Sequence, residues 1–570
     1  MGGCVLDKET RDEILDICKK TASASDIVGV SIYDLPTDSI GGKGKDINVL
    51  LILAAKKLTL KHQRKGLRTL EGSTVSLLAV DQRTFKEDVE KDWLGGLLVE
   101  NMLVPYQPLV NADFLWDQEV KAKKRVVTEI LGNLVLEYPE MISELLIRPE
   151  YFMFEAMARK ASLYPPITYR FLSILRGDLG EKNRELMMIG FKAALDELAR
   201  EELVDYSEGC VKIAKGFASA IQRRKLRVLH LLKGVRNRIL RHSLVVFPEM
   251  MRYLIEDYGL YTRRFMDGVD VAEISLPELE DTKRFIFMPT SSGLVSLSDK
   301  VTIEDFVRRT VSEGAGLRVH TEKFGGVLNA VYRLSLHGEK ESQTIIVKVF
   351  KDWYGWKWFP LALWALGTRG FAVLGKSRLE KEYAANRFLS SKGINVPRII
   401  YVSPKERLIF QEYVEGENLT KVIKRICSSK EKAADLAGVV RQVGGEVAKA
   451  HQLDVALGDC KPENVIIAED GRIFFVDLEQ AARGGDQAWD IAELLYYSGH
   501  YALLSPVEVA QMMAREFIDG YLEAGGKIEN IRKARFPRYV KVFSFFTPPH
   551  ILFAISNTCK EELRAAEAGM

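Results

Sequence analysis

Short apolar runs rich in β-branched residues mark the N-terminal part of the chain. The runs at 48–53 (Asn-Val-Leu-Leu-Ile-Leu) and 74–80 (Thr-Val-Ser-Leu-Leu-Ala-Val) are bounded by charged or turn-forming residues. Runs of this length and composition are typical of buried strands. Helical patterns separate them, so we predict an α/β domain over residues 1–116.

The pattern changes after this domain, where apolar residues recur three and four positions apart. Residues 126–136 and 186–198 keep this spacing over several turns, which predicts amphipathic helices. The second run leads into a short hairpin pattern whose turn is Ser207-Glu-Gly. We therefore predict a mostly helical domain over residues 117–274, and a winged-helix unit is one interpretation of its hairpin.

Proline, serine and glycine concentrate between the helical part and the last part of the chain. Pro277 and Pro289 both fall in residues 275–300, which we predict to be a linker. The final domain then occupies residues 301–570. A chain of 570 residues is longer than one hydrophobic core usually supports, so the expected fold class is a multidomain α/β and α+β protein.

Charge adds one local feature to this picture. The chain carries 81 Lys and Arg against 78 Asp and Glu, so its net charge of +3 selects no nucleic-acid or membrane partner. Between Arg223 and Arg241, however, eight of nineteen residues are basic and alternate with leucine, valine and isoleucine. This pattern predicts an amphipathic basic helix. Its basic face is solvated, contacts another domain, or binds RNA or a ribonucleoprotein.

Cysteine usage and the longest apolar stretch bear on the location of the protein. The six cysteines form no CxxC pair, which favours neither a zinc site nor a disulfide framework. Charged residues appear before any apolar run of signal-peptide length. The apolar stretch 359–375 is interrupted by Arg369 and by glycines, so it is a poor membrane-spanning helix. We expect a cytoplasmic protein without a transmembrane segment.

Candidate chemistry appears first as a glycine turn and a lysine. Phosphoryl transfer from ATP needs a backbone cradle for phosphates, a lysine, metal-binding carboxylates and a base near the acceptor hydroxyl. Gly325 and Gly326 lie at a tight turn between two strand patterns, which suits a phosphate cradle and also an ordinary hairpin. Lys348 interrupts an apolar strand pattern, and a buried lysine requires a partner. Glu380 and Glu382 of the next helical pattern are the available carboxylates, and Glu382 is preferred.

The most specific pattern spans residues 458–480. Asp459, Lys461 and Asn464 lie on a loop that leads into one strand pattern, and Asp477 ends the next. A hairpin would bring these side chains together at one end. Mg²⁺ prefers oxygen ligands and usually takes one or two from protein, which Asn464 and Asp477 supply.

The run Asp459-Cys-Lys-Pro-Glu-Asn resembles the catalytic loop of protein kinases, and the order from Gly325 to Asp477 repeats theirs. The resemblance covers about residues 315–500. This part of the chain resembles in particular the RIO-type and KEOPS-complex kinases of archaea and eukaryotes. Leu457 stands where that group has histidine, and Asp477-Leu-Glu-Gln replaces the Asp-Phe-Gly of typical kinases.

The resemblance implies a bilobal kinase-like domain at the C-terminus and a role for each residue of the pattern. Asp459 would accept or orient the proton of the acceptor hydroxyl, and Lys461 would contact the γ-phosphate. The remaining implied roles concern the nucleotide and its metal. Gly325, Gly326 and Lys348, the last paired with Glu382, would bind the phosphates. The backbone of Glu412 and Val414 would contact adenine. Asn464 and Asp477 would hold Mg²⁺ or Mn²⁺.

The acceptor is less defined than the nucleotide site. An Ala-Pro-Glu segment is missing after Asp477, which indicates a reduced peptide-binding lobe. Aminoglycoside and choline kinases resemble the same pattern, so a small-metabolite kinase is one alternative, and a non-catalytic ATP-switched binding module is another. Lys461 favours an atypical serine/threonine kinase that acts on protein.

A second, weaker resemblance concerns the first domain. Ser31-Ile-Tyr followed by Gly41-Gly-Lys-Gly-Lys-Asp-Ile-Asn resembles the signature of polymerase-β-type nucleotidyltransferases, in which paired acids bind two metals. Asn48 replaces the second acid of that signature, and Asp81 is the candidate third carboxylate. An active transferase, a degenerate nucleotidyltransferase-like scaffold and an unrelated α/β domain all remain open.

An aromatic insertion separates the lysine strand from the glutamate helix. Residues Trp353 to Trp364 contain four of the seven tryptophans of the chain. Packing under a neighbouring domain, a clamp for a partner or substrate, and a membrane-interface anchor are the alternatives for this insertion.

Overall fold

The computed structural model describes the greater part of the chain. The described residues are 7–23, 25–33, 46–55, 59–70, 72–94, 98–163, 167–175, 179–223, 277–313, 318–325, 330–337, 342–352, 374–428, 430–502 and 505–568. Nearly all of the basic segment Arg223–Arg241 and the whole insertion Trp353–Trp364 lie outside these ranges. Across the described ranges, no helix combines the length and apolar character needed to cross a membrane.

Two compact units make up the chain, Met1–Phe287 and Met288–Met570. The division falls inside residues 275–300, the segment predicted to be a linker. Most of that segment is regular structure in the described residues, because Ile286–Thr290 and Gly293–Ser296 are strands. Ile286, Met288 and Val295 are buried, so apolar residues anchor this segment despite its prolines and glycines.

The N-terminal unit begins with an α/β region. Its elements are α1 (Lys8–Ala22), β1 (Ile27–Tyr33), β2 (Asp46–Leu53), β3 (Leu60–Gly66), β4 (Thr74–Asp81), α2 (Gln82–Lys91), α3 (Glu100–Leu103) and β5 (Tyr106–Val110). The strands form a sheet in the order β3-β4-β2-β1-β5, in which β2 and β4 run parallel and the other neighbours are antiparallel. Val49 and Val75 share its core with Ile14 of α1. The two apolar runs predicted as strands are thus confirmed as β2 and β4.

Asp81, the candidate third carboxylate of a nucleotidyltransferase-like site, has a structural role. Its Oδ1 accepts the N–H of Thr84 at 2.9 Å and caps α2, while its Oδ2 accepts the N–H of Thr59 at 2.9 Å. The register places Asp46 at the start and Asp81 at the end of the parallel β2–β4 pair. At about 3.3 Å per residue the two lie roughly 23 Å apart, so the structure does not bring them together.

Ser31 and Asn48, the other residues of that resemblance, lie buried on the neighbouring strands β1 and β2. Residues 34–45, which connect these strands and include most of the glycine-rich part of the signature, lie outside the described residues. The nucleotidyltransferase-like interpretation therefore stays a prediction.

The rest of the N-terminal unit is mainly helical, as the apolar spacing predicts. Its described elements are α4 (Ala112–Glu137), a 3₁₀ turn (Ile142–Glu144), β6 (Leu146–Ile147), α5 (Glu150–Leu163), α6 (Ile167–Leu175), α7 (Gly180–Arg200), β7 (Val204–Ser207), β8 (Cys210–Ile213), α8 (Pro277–Glu280), a 3₁₀ turn (Thr282–Phe285) and β9 (Ile286–Thr290), which begins in this unit and ends past the division at Phe287. The predicted hairpin is confirmed as β7–β8, and both Glu208 and Gly209 adopt positive φ at its turn. Whether the hairpin belongs to a winged-helix unit stays a prediction.

The C-terminal unit begins with a five-stranded antiparallel sheet and one long helix. Its first elements are β10 (Gly293–Ser296), α9 (Ile303–Glu313), β11 (Arg318–Gly325), β12 (Ala330–His337), β13 (Ser342–Val349), α10 (Gly375–Ser391), β14 (Ile399–Ser403) and β15 (Leu408–Glu412). The sheet order is β11-β12-β13-β15-β14. Leu334, Val347 and Phe410 are fully buried in its core, and Phe306 of α9 stacks on Phe410 with ring centroids 4.1 Å apart.

The remainder of this unit is helical around small hairpins. Its elements are β16 (Gly416–Asn418), α11 (Leu419–Ser428), α12 (Lys430–Gln452), β17 (Val455–Ala456), a 3₁₀ turn (Pro462–Asn464), β18 (Val465–Ala468), β19 (Ile473–Phe475), β20 (Ala482–Arg483), α13 (Gln487–Tyr501), α14 (Val507–Glu523), α15 (Ile528–Ala534), α16 (Pro537–Phe543) and α17 (Pro549–Ala568). One large apolar core joins α11 to α17 with the strands β18 and β19. The predicted hairpin between the two acidic motifs is β18–β19.

Two glycines let α12 and α14 approach at backbone distance. A Cβ added to Gly444 would overlap the carbonyl oxygen of Phe517, and one added to Gly520 would overlap that of Arg441. Both overlaps involve backbone atoms, which cannot rotate away as a flexible side chain can. A side chain at either position would therefore push the two helices apart.

We predict that Gly444→Ala lowers the free energy of unfolding of the C-terminal unit by about 1–3 kcal/mol, the usual cost of overpacking a core. The matched control is Gly438→Ala on the same helix, where the glycine is exposed and an added Cβ meets nothing within 4 Å. The control should be neutral or stabilising by about 0.5–1 kcal/mol, because alanine favours the helix. Urea unfolding followed by circular dichroism measures both; equal effects would contradict the proposed close packing.

Candidate active site

Lys348 is the buried cation of the C-terminal unit's sheet. It is the second-to-last residue of β13. Its Nζ is 2.9 Å from Glu382 Oε1 and 3.1 Å from Asp477 Oδ1. Burial alone would lower the pKa of Lys348, but the charges of Asp477 and Glu382 outweigh burial and raise it above its usual range. The lysine therefore stays charged, and it joins the sheet, α10 and the segment after β19 at one point.

The structure selects Glu382 over Glu380 as the partner of this lysine. Glu382 Oε1 also accepts a hydrogen bond from Gln411 Nε2 of β15 at 3.0 Å. Glu380 lies two residues earlier on α10, and its Oε1 is 3.9 Å from the Nζ of Lys376 on the same helix. Residues two apart on a helix do not share a face, which explains why only one of the two glutamates reaches the strand.

The strand register brings the glycine turn level with Lys348. Gly325 at the end of β11 is opposite Val331 of β12, and Val331 is opposite Lys348 of β13. Two strand spacings of about 4.8 Å separate Gly325 from Lys348, or roughly 10 Å. A bulge between Lys323 and Gly325 marks the start of the turn. Gly326 lies outside the described residues.

The loop before β18 holds Asp459, Lys461 and Asn464 in mutual contact. Lys461 Nζ donates to Asp459 Oδ2 at 2.9 Å, and Asn464 Nδ2 donates to the same oxygen at 2.9 Å. Burial raises the pKa of Asp459 above its usual range and the charge of Asp477 adds to this effect, while Lys461 and Asn464 oppose it. Asp459 is thus a carboxylate with increased proton affinity, and 20% of its side chain is exposed.

Asp477 follows β19 in a left-handed conformation with φ of 65°. The N–H of Val476 donates to the carbonyl of Asn464 at 2.9 Å, which aligns the residues before Asp477 with the loop of Asp459. Burial alone would raise the pKa of Asp477, but the charges of Lys348 and Lys461 hold it below its usual range. Asp477 therefore remains ionised beside two lysines.

The oxygens of Asn464 and Asp477 fit a metal bound together with phosphate. Asn464 Nδ2 donates to Asp459, and Asp477 Oδ1 accepts from Lys348. In the described part of the chain, neither Oδ1 of Asn464 nor Oδ2 of Asp477 accepts a hydrogen bond. The same part contains no group of three or more His, Cys, Asp or Glu side chains that could hold a metal ion alone. An amide and a carboxylate oxygen are a suitable protein share for Mg²⁺, which takes its other ligands from phosphate and water.

The segment after β15 was predicted to contact adenine. Glu412 ends β15 opposite Ile345, and its carboxylate accepts the N–H of Arg398 at 2.9 Å. Among the described residues, the N–H of Val414 donates no hydrogen bond. A backbone donor is therefore available beside the sheet, in a segment that continues directly from the strand that contains Gln411.

Two buried acids of α13 hold the loop of Asp459 through its backbone, and sequence reasoning assigned neither a role. Asp490 is fully buried and accepts the N–H of Leu457 at 2.6 Å and of Gly458 at 2.7 Å. Glu493 accepts the N–H of Cys460 at 2.7 Å. The run Trp489-Asp-Ile-Ala-Glu, with acids three apart on one helix, was the signal that could have identified them.

A further pair that sequence reasoning missed lies beside Asp477. Arg378 of α10 donates to Glu479 at 2.7 Å, and both side chains are buried. Burial and the charge of Asp477 raise the pKa of Glu479 to about 7, while Arg378 opposes this rise. The structure therefore places a direct hydrogen-bonded pair between α10 and the segment after β19, in addition to the link through Lys348.

Comparison with known proteins agrees with a kinase-like chain. No family model matches the sequence. The KEOPS complex subunit Bud32 of Pyrococcus abyssi (strain GE5 / Orsay) is 31% identical over 104 residues, which cover 18% of this chain and 44% of that protein. The EKC/KEOPS complex subunit bud32 of Dictyostelium discoideum is 21% identical over 105 residues, 18% of this chain and 42% of that protein. The chain thus spans less than half the length of the curated relatives it matches.

Solved structures give a weaker likeness. Two mutant forms of the Mycobacterium tuberculosis PknI kinase domain are each 17% identical and cover 37% of this chain, with 96% and 97% of their own chains covered. Their TM-scores are 0.24 and 0.25, so they add no detail of architecture. The sequence similarity to Bud32 is what indicates a kinase-like protein.

We predict that Asp490→Asn lowers the free energy of unfolding of the C-terminal unit by about 1–3 kcal/mol, because one carboxylate oxygen becomes an NH₂ group that faces a backbone N–H. The control Asp454→Asn is exposed, and its positive φ is one that asparagine tolerates well. Thermal unfolding of both variants measures the difference. Identical midpoints for Asp490→Asn and Asp454→Asn would rule out this role of Asp490.

Proposed function

We propose that the C-terminal unit is an ATP-dependent phosphotransferase, and specifically an atypical serine/threonine protein kinase. The observation that carries this proposal is the double contact of Lys348 with Glu382 and Asp477. It couples a phosphate-binding lysine to a metal-binding acid in one buried cluster. Phosphoryl transfer depends on positioning and on charge neutralisation, and this cluster provides both.

In the proposed reaction, each side chain acts at a stated atom. Lys348, fixed by Glu382, would donate to the α- and β-phosphates of ATP, and the backbone N–H groups of Gly325 and Gly326 would contact the phosphates. Asn464 and Asp477 would hold Mg²⁺ or Mn²⁺, and the ion would offset the negative charge of the phosphates. The backbone of Glu412 and Val414 contacts adenine.

The acceptor side of the proposed site consists of Asp459 and Lys461. Asp459 orients the acceptor hydroxyl and accepts its proton as the oxygen attacks the γ-phosphorus of ATP. The bond from the γ-phosphorus to the β–γ bridging oxygen breaks, and ADP leaves. Its raised pKa supports this role, because proton affinity closer to neutral pH improves a general base. Lys461 contacts the γ-phosphate and stabilises the charge that develops during transfer.

The acceptor of the proposed kinase is a serine or threonine of a protein. The similarity to subunits of a complex supports a partner for the chain, and the N-terminal unit is the part of the chain that we propose to recognise it. A ribonucleoprotein or RNA partner through Arg223–Arg241 is included in the proposal on the basis of its basic residues alone. A cytoplasmic location stays a prediction.

We predict that Asp459→Asn reduces phosphate transfer roughly 10²–10⁴-fold, the usual contribution of a general base. Binding of the nucleotide should be retained, because Lys348, Asn464 and Asp477 are unchanged. The measurement is transfer of label from γ-labelled ATP with Mg²⁺ or Mn²⁺ into proteins of a cell extract. Binding is measured in parallel with a fluorescent ATP analogue.

The matched control is Asp470→Asn, since Asp470 lies exposed on the turn between β18 and β19 and pairs with Arg472. It should transfer phosphate like the wild type. Label that appears in small hydroxylated compounds instead of protein would replace the protein kinase by a metabolite kinase. Nucleotide binding without any transfer by the wild type would leave a nucleotide-switched binding module.

A further inference from the structure

A buried arginine connects the helix of Glu382 to the segment of Asp477. Arg378 is fully buried on α10, and its Nη2 donates to Glu479 Oε2 at 2.7 Å. Glu479 is also buried, with 4% of its side chain exposed. The two residues are 101 positions apart in the chain, so the pair is a tertiary link and not a local one.

This link runs parallel to the one that Lys348 makes. Arg378 and Glu382 are four residues apart on α10, which places them on the same face of the helix. Asp477 and Glu479 are two residues apart on the opposing segment. One face of α10 therefore holds this segment at two points, through Glu382 and Lys348 to Asp477, and directly from Arg378 to Glu479.

The geometry of Asp477 explains why two points of attachment matter. Its φ of 65° is in the left-handed region, which residues other than glycine seldom adopt. Such a conformation persists only where the surroundings determine it. On its N-terminal side, Val476 is fixed by the carbonyl of Asn464. Glu479 is the attachment on its C-terminal side.

Arg378 is itself fixed by the residues that directly follow β13. Its Nη1 donates to the carbonyl of Lys351 at 2.9 Å, and its guanidinium lies 5.9 Å from the ring centroid of Phe350. The arginine thus has a set orientation before it contacts Glu479. A lysine at this position has a single nitrogen in place of the two that make these contacts.

We propose that Arg378 and Glu479 are a positioning pair that holds Asp477 in the orientation that binds the metal of the nucleotide. The inference rests on the proposed function for the role of Asp477. Arg378 and Glu479 would not contact the substrate. They would act on Asp477 through the backbone of residues 477–479. Supporting residues of this kind typically change metal affinity or activity by 10–100-fold when they are altered.

The decisive variant is the double substitution Arg378→Met with Glu479→Met. A buried ion pair replaced by apolar residues of similar volume is often neutral for stability, so this variant separates folding from positioning. We expect a wild-type thermal midpoint and a Mn²⁺ concentration for half-maximal binding of a fluorescent ATP analogue that rises roughly 10–100-fold. The matched control is Arg472→Met with Asp470→Met, an exposed pair on the β18–β19 turn.

Conservative substitution provides a second test in case the double variant does not fold. Arg378→Lys keeps the charge and loses one of the two contacts, so its Mn²⁺ midpoint should lie between those of the wild type and the double variant. A Mn²⁺ midpoint within about twofold of the wild type, in the folded double variant or in Arg378→Lys, would overturn the inference, since twofold is far below the 10–100-fold expected of such residues.

Failure of the proposed function gives a different result. If the wild type binds Mn²⁺ with nucleotide but transfers no phosphate to any acceptor, the proposed function fails, while the metal midpoints of the variants still decide the role of the pair. If the wild type shows no metal-dependent nucleotide binding, both proposals fail together.

Discussion

The arrangement of the C-terminal unit depends on one buried cation, Lys348, and on the need to compensate its charge. A lysine taken out of water is costly unless acids approach it closely. Glu382 and Asp477 meet this need from two different elements, at 2.9 Å and 3.1 Å. The Nζ atom of Lys348 therefore links α10 to the chain after β19, beside the direct link between Arg378 and Glu479. The same atom lies level with the glycine turn, so the charge that organises the fold also faces the proposed phosphates.

The loop of Asp459 is constrained differently, through its backbone. Asp490 and Glu493 accept the N–H groups of Leu457, Gly458 and Cys460 from beneath. Because Asp490 and Glu493 of α13 accept these backbone N–H groups, the side chains of Asp459, Lys461 and Asn464 can contact one another. The positive φ of Gly458 permits this path, since the residue precedes Asp459 at the turn of the loop.

Sequence order was sufficient to predict the local parts of this site. The strand of Lys348, the helix of Glu380 and Glu382, and the hairpin between Asp459 and Asp477 each have a periodic pattern of apolar residues. The resemblance to kinases then predicted which of these elements contribute to one site. Links between distant residues had no such signature, which is why the pair of Arg378 and Glu479 was missed. Asp81 was a candidate third carboxylate for the related reason that a carboxylate at the end of a strand has the same sequence pattern whether it binds a metal or caps a helix. Only the contacts with Thr59 and Thr84 distinguish the two.

The two aspartates of the site show how one buried cluster can support two different roles. Both are desolvated, and desolvation raises the pKa of any carboxylate. The charges of Lys348 and Lys461, with that of Arg378, reverse the effect at Asp477. At Asp459, Lys461 and Asn464 oppose the rise without reversing it, and the charge of Asp477 adds to it, so its pKa stays raised. Paired acids whose surroundings drive their pKa values apart are typical of sites in which one acid moves a proton and the other stays ionised. The lysine that organises the fold is thus also what separates the proposed metal ligand from the proposed base.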